Sequence, residues 1–132
     1  MSGLLDASVV VRYLVGDSPE QADAAARLID AGEGLILTGV TIMEVGFVLT
    51  RTYGIPRSKV VDLLVDLLAS EHVQTIPRNK STVIEAISMC RDSGRVSFAD
   101  AMLWVIATAD DERVFTFDRR FPTNGIEVVV PS

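Results

Sequence analysis

"LILTGVTIMEVGFVLTRTYG", residues 35–54, decides the fold. "LILT" reads as a strand, and from about Ile42 to Tyr53 the apolar positions follow a helical pattern that Gly54 closes. Thr41 followed three residues later by Glu44 has the form of a capping box, in which each side chain satisfies an orphan N–H at a helix start. A strand that passes into a helix in this way is half of a βαβ unit.

The rest of the chain repeats the alternation. "GLLDAS" reads as a short buried strand ending at Asp6, and "VVVRYLVG" as a helix stopping near Gly16. "SPEQADAAARLIDAGE" predicts a helix with Ser18 as N-cap, Pro19 at its first position, Gln21 completing a capping box and Gly32 at its end. A fourth helix starts at Pro56. "VQTI" is a third strand, Asn79 to Asp92 a fifth helix, Ser97 to Asp110 a sixth, "RVFTF" a fourth strand leading to Asp118, and "IEVVV" a last edge strand. Strands separated by helices predict an α/β sandwich with a mainly parallel sheet.

Composition narrows the function. The 132 residues are expected to form one domain, with 48% hydrophobic residues for its core. No internal repeat, low-complexity segment or membrane-length apolar stretch is present. "MSGLLDAS" lacks the basic and long apolar segments of a secretory signal, so a cytoplasmic location is the expectation. Cys90 is the only cysteine, expected buried in a helix, and His72 the only histidine, in a polar connection; together they exclude the usual zinc sites. A net charge of −6 repels a nucleic-acid backbone unless cations intervene. In the fourth helix, Val60, Leu63, Leu64, Leu67 and Leu68 keep a core spacing, and Val61 and Val65 widen it, which suits either an interface or a well-buried helix. Trp104 and Met102 read as core, Asp110 and Asp111 as surface charge.

Ligands of parallel α/β sheets bind outside the carboxyl ends of the strands. Asp6 and Asp118 close strands, while Glu44 and Asp100, the latter in the capping-box form "SFAD" with Ser97, open helices expected to start at that edge. Two carboxylates about 5 Å apart repel by roughly 3 kcal/mol at an effective dielectric of about 20, against about 0.5–2 kcal/mol contributed by a cap. Capping alone does not justify gathering four acids, and a hard, oxygen-bound divalent cation offsets the repulsion.

"LLDASVVVRYL", "TIMEVGFVLTRTYG", "SFADAMLWVIA" and "VFTFDRRF", in this order and spacing, resemble the PIN-domain ribonucleases, and specifically the VapC-like toxins of type II toxin–antitoxin systems. The resemblance covers nearly the whole chain. It implies a PIN-like (Rossmann-like) α/β/α sandwich, hydrolysis of RNA with Mg²⁺ or Mn²⁺, homodimerisation, and inhibition by a VapB-like antitoxin. By position it assigns the catalytic acids to Asp6, Glu44, Asp100 and Asp118, with Asp6, Asp100 and Asp118 holding metal. Ser8 stands where many members have Asn and can still hydrogen-bond a carboxylate. Thr116 matches the hydroxyl of a "TxD" pattern. Arg12, Arg119 and Arg120 lie near the acid-bearing strand ends and are candidates for RNA phosphate contacts. Two other classes compete with the nuclease: a phosphotransfer or receiver-like signalling domain, which wants a second acid near Asp6 where Ser8 stands, and a catalytically silent binding module acting through its apolar helices.

Overall fold

The computed structural model describes residues 3–32, 34–91, 94 and 96–131. Strands β1 (Gly3–Leu4), β2 (Leu35–Thr38) and β3 (Val73–Ile76) form a parallel sheet in the order β1-β2-β3. Leu4 pairs with Ile36, and Thr38 with Ile76. Strands β4 (Val114–Phe115) and β5 (Val128–Val129) pair, also in parallel, as a second small sheet. The expectation of a parallel α/β sandwich is met, with its five strands divided three and two among the described residues.

Among the described residues six helices connect the strands: α1 (Ala7–Val15), α2 (Pro19–Ala31), α3 (Gly39–Phe47), α4 (Arg57–Leu68), α5 (Lys80–Met89) and α6 (Phe98–Asp110). A π-helical turn, Val48–Thr52, continues α3. The end expected for the fifth helix at Asp92 lies outside the described residues. None of the described helices is long and apolar enough to cross a membrane.

The inner faces of β2 and of the helices meet in one core that includes Leu37, Ile42, Val45, Leu64 and Ile87, all without exposed surface. The broad apolar face of α4 is absorbed there: Val60, Val61, Leu64, Leu67 and Leu68 are buried, and Leu63 and Val65 pack half-buried against the same core. Met102 and Trp104 are core residues too, and the buried indole N–H donates to the Asn124 carbonyl at 2.8 Å. Cys90 is buried at the end of α5, where burial pushes its thiol up to about 11. Asp110 and Asp111 are exposed, as is His72 in the turn before β3.

Two of the expected caps are corrected. The helix after β2 begins at Gly39, not near Ile42, because Thr38, the last residue of the strand, caps it by accepting from the Thr41 N–H at 3.2 Å. Glu44 therefore stands in the second turn of α3, beyond the reach of a capping box. Ser18 precedes α2 but its hydroxyl makes no cap, and Gln21 instead accepts from Arg12 Nε at 2.7 Å. A tertiary partner has taken the side chain that the local pattern assigned to the cap.

Candidate active site

Asp6 follows β1 directly, since the Leu5 N–H donates to the Ile36 carbonyl at 2.9 Å and extends the pairing to the preceding residue. Its carboxylate caps α1, accepting from the Ser8 N–H at 3.0 Å and the Ser8 hydroxyl at 2.6 Å. Those two bonds, the hydroxyl first, hold the exposed Asp6 carboxyl below its usual range. Ser8 thus does what the sequence reading allowed it: it fixes and ionises the first acid.

Glu44 is exposed on α3. No cap accounts for it there, so its position on this face has no local structural explanation. It lines a cavity of about 430 Å³ between α3, the π turn and the start of α6, together with Phe47, Arg51, Ser97, Phe98 and Ala99.

Asp100 lies half-buried in the first turn of α6. Only half of the expected capping box forms. The Asp100 N–H donates to Ser97 Oγ at 3.0 Å, while the Asp100 carboxylate makes no hydrogen bond among the described residues. The helix start is docked from below: a Cβ at Gly46 of α3 would lie 2.8 Å from the Phe98 ring, and one at Gly39 would lie 3.4 Å from Met102 Sδ and 3.7 Å from the Ile76 carbonyl. Gly39 and Ile76 mark the carboxyl ends of β2 and β3, so α6 reaches that sheet edge at Met102, while its first residue, Phe98, packs on Gly46 farther along α3. Arg57 holds the segment before α6, donating to the carbonyls of Cys90, at 2.8 Å, and Val96, with its guanidinium 5.1 Å from the Phe98 ring centroid.

Asp118 stands on the turn that leaves β4. Its carboxylate accepts from the Arg120 N–H at 2.9 Å and pairs with Arg120 Nε at 3.5 Å. Thr116 accepts from the Asp118 N–H at 3.0 Å, so it shapes the turn through the backbone, not through the carboxylate. Arg119 is exposed. Arg12 is engaged within the fold, donating to Gln21, to Asp17 at 3.0 Å and to the Tyr53 hydroxyl at 3.2 Å, while Tyr53 donates to Asp17 at 2.9 Å.

The donor set is entirely oxygen and suits a hard divalent cation. Its spacing is open: among the described residues no group of three or more His, Cys, Asp or Glu side chains stands close enough to hold an ion. Sequence reasoning missed Thr38, Arg57 and Phe47. Thr38 had a readable signal, a hydroxyl at the strand's end three residues before another, whereas Arg57 acts on carbonyls 33 and 39 positions away and left no local trace.

Residues 3–126 match the family model described as PIN domain. No curated protein and no solved structure matches the chain.

Proposed function

The chain belongs to the PIN-domain family, whose members are generally metal-dependent nucleases, and from that premise we propose that it is an endoribonuclease using Mg²⁺ or Mn²⁺, of the VapC-like toxin type. The observation that supports the reading is that Glu44, which no cap explains, lines one cavity with Ser97, Phe98 and Ala99, the residues just before Asp100, while Asp6 stands just beyond β1. Asp6, Asp100 and Asp118 are the residues that would hold the ion, with Glu44 beside them. When bound, such an ion lowers the pKa of a water and neutralises charge developing on a phosphate.

The protein's own contribution is placement. Ser8 keeps Asp6 ionised and fixed in rotamer. Ser97 and the Phe98–Gly46 contact set the first turn of α6, and with it Asp100. Asp118, whose carboxylate is paired with Arg120, would hold the ion in place of that partner, and Arg120 and Arg119 would then be available to the substrate backbone. With water as nucleophile, the ribose 2′-hydroxyl takes no part, and the products carry 5′-phosphate and 3′-hydroxyl ends. A VapB-like antitoxin and a homodimer belong to the same reading.

The open spacing of the acids is the one observation that also suits a silent binding module. Incubating total RNA with the purified protein and Mn²⁺, with EDTA, and with Asp100→Asn separates the two. Metal-dependent fragments with 5′-phosphate ends, absent in a folded Asp100→Asn variant, are expected. Undiminished cleavage by that variant overturns the assignment of Asp100, and no cleavage with any divalent ion overturns the nuclease.

A further inference from the structure

The cavity between α3 and α6 contains two residues that the catalytic scheme leaves unused. Phe47, in the last turn of α3, is 58% exposed. The Arg51 guanidinium lies 5.8 Å from its ring centroid, within range of a cation–π contact, and makes no ion pair or hydrogen bond among the described residues. The two stand four residues apart, a spacing that puts side chains on one helical face, and Arg51 lies in the π-helical turn Val48–Thr52. Such turns are rare and concentrate at functional sites.

The cavity is built on a rigid floor. Phe98 is 6% exposed, wedged on Gly46 and covered by Arg57, whose Nε and Nη2 donate to the carbonyls of Cys90 and Val96. Arg57 is therefore committed to the fold, and Arg51 is the cation of this cavity that remains open to a ligand. Glu44, a candidate catalytic acid, lies in the same wall.

We infer that this cavity is a nucleotide subsite, in which Phe47 stacks a base of single-stranded RNA and Arg51 neutralises an adjacent phosphate, beside the acid edge. The inference deepens the nuclease reading and rests on it. An aromatic face accepts any base, provided the base is unstacked from its neighbours. About 430 Å³ lies within the range of small-ligand sites and accommodates one nucleotide. An apolar protein partner fits less well, because covering Phe47 would also desolvate Arg51 and Glu44 without giving either a counter-ion. A phosphate beside a stacked base gives Arg51 its partner, and in a chain of net charge −6 a local cation is what an RNA backbone requires at this point.

The test measures binding of a fluorescein-labelled single-stranded RNA pool of randomised sequence to the wild type, Phe47→Leu and Arg51→Gln, in Ca²⁺ buffer, across a salt series, with sedimentation of each protein in parallel. Phe47→Leu is expected to weaken binding by roughly 5- to 100-fold with an unchanged salt slope. Arg51→Gln is expected to reduce the slope of log K against log salt by about 0.7, the loss of one phosphate contact to a single strand. A purely structural role for either residue produces no such split. Wild-type RNA binding that neither substitution alters overturns the subsite and leaves the nuclease standing. Unchanged RNA binding with a changed sedimenting mass assigns the face to a contact between copies of this chain and likewise overturns it. A wild type that binds no RNA overturns the subsite and the RNA reading together.

Discussion

Adding a single methyl group at Gly46 is expected to disturb both stability and the candidate site. The new Cβ would stand 2.8 Å from Phe98 Cγ and 2.9 Å from Cδ1 and Cδ2, far inside carbon–carbon contact. The ring has no free direction to turn: it is 6% exposed and Arg57 covers it. Overpacking of this kind costs about 1–3 kcal/mol, and the helix regains about 0.8–1 kcal/mol when Gly becomes Ala in its interior. The balance is a loss of about 1 kcal/mol, or about 4 °C in Tm for a chain of this length. Gly39→Ala is the matched control, since its Cβ would meet Met102 Sδ at 3.4 Å, the Ile76 carbonyl at 3.7 Å and Pro77 Cδ at 3.8 Å, all ordinary van der Waals contacts. Thermal unfolding of the two variants beside the wild type, followed by RNA cleavage with Mn²⁺, reads both effects. Phe98 begins α6 two residues before Asp100, so a displaced ring carries the carboxylate with it, and a shift of about 1 Å at a reacting centre is worth about 100-fold in rate. If Gly46→Ala melts at or above Gly39→Ala, or cleaves at the wild-type rate, the account of how α6 is seated on α3 is wrong.

Arg57→Leu removes the donors that serve the Cys90 and Val96 carbonyls while keeping an apolar stem over Phe98. It is expected to destabilise by about 1–3 kcal/mol in denaturant titration, and a midpoint equal to the wild type would show that the clamp is not formed in solution. The pH dependence centres on Asp6, whose carboxyl lies below its ordinary 3.8 because of the Ser8 hydroxyl first and the Ser8 N–H second. A depressed carboxyl stabilises the fold above 3.8, and that contribution disappears as pH falls through the lower folded value. Ser8→Ala removes the hydroxyl, so Asp6 should protonate at a higher pH, nearer 3.8, in an NMR titration of the carboxyl carbon; an unmoved titration would show that Ser8 does not tune it.

Much of the fold was legible because the signals are local. The strands at "LILT" and "VQTI", the six helices, Pro19 at the start of α2 and the Ser97 cap of α6 are written within a few residues of where they act. Caps and apolar periodicity depend on neighbours one turn away, which a sequence displays directly. The acids at the strand ends were legible for the same reason, since the close of β1 at Asp6 and the start of α6 before Asp100 are both local events.

Only the tertiary structure decided how those pieces engage. Thr38 and Thr41 are equally good caps in sequence, and the choice fell to Thr38 because the strand runs to that residue, paired with Ile76 of β3. That moved Glu44 out of the first turn and removed its capping role. Gln21 left the expected box on α2 because Arg12, nine residues earlier, offered it a donor. The floor beneath Asp100 joins Gly46, Phe98 and Arg57, and the bridge from Arg57 to Val96 spans 39 positions. Contacts of that range depend on the packed geometry of whole helices, so they become determined only when the core closes.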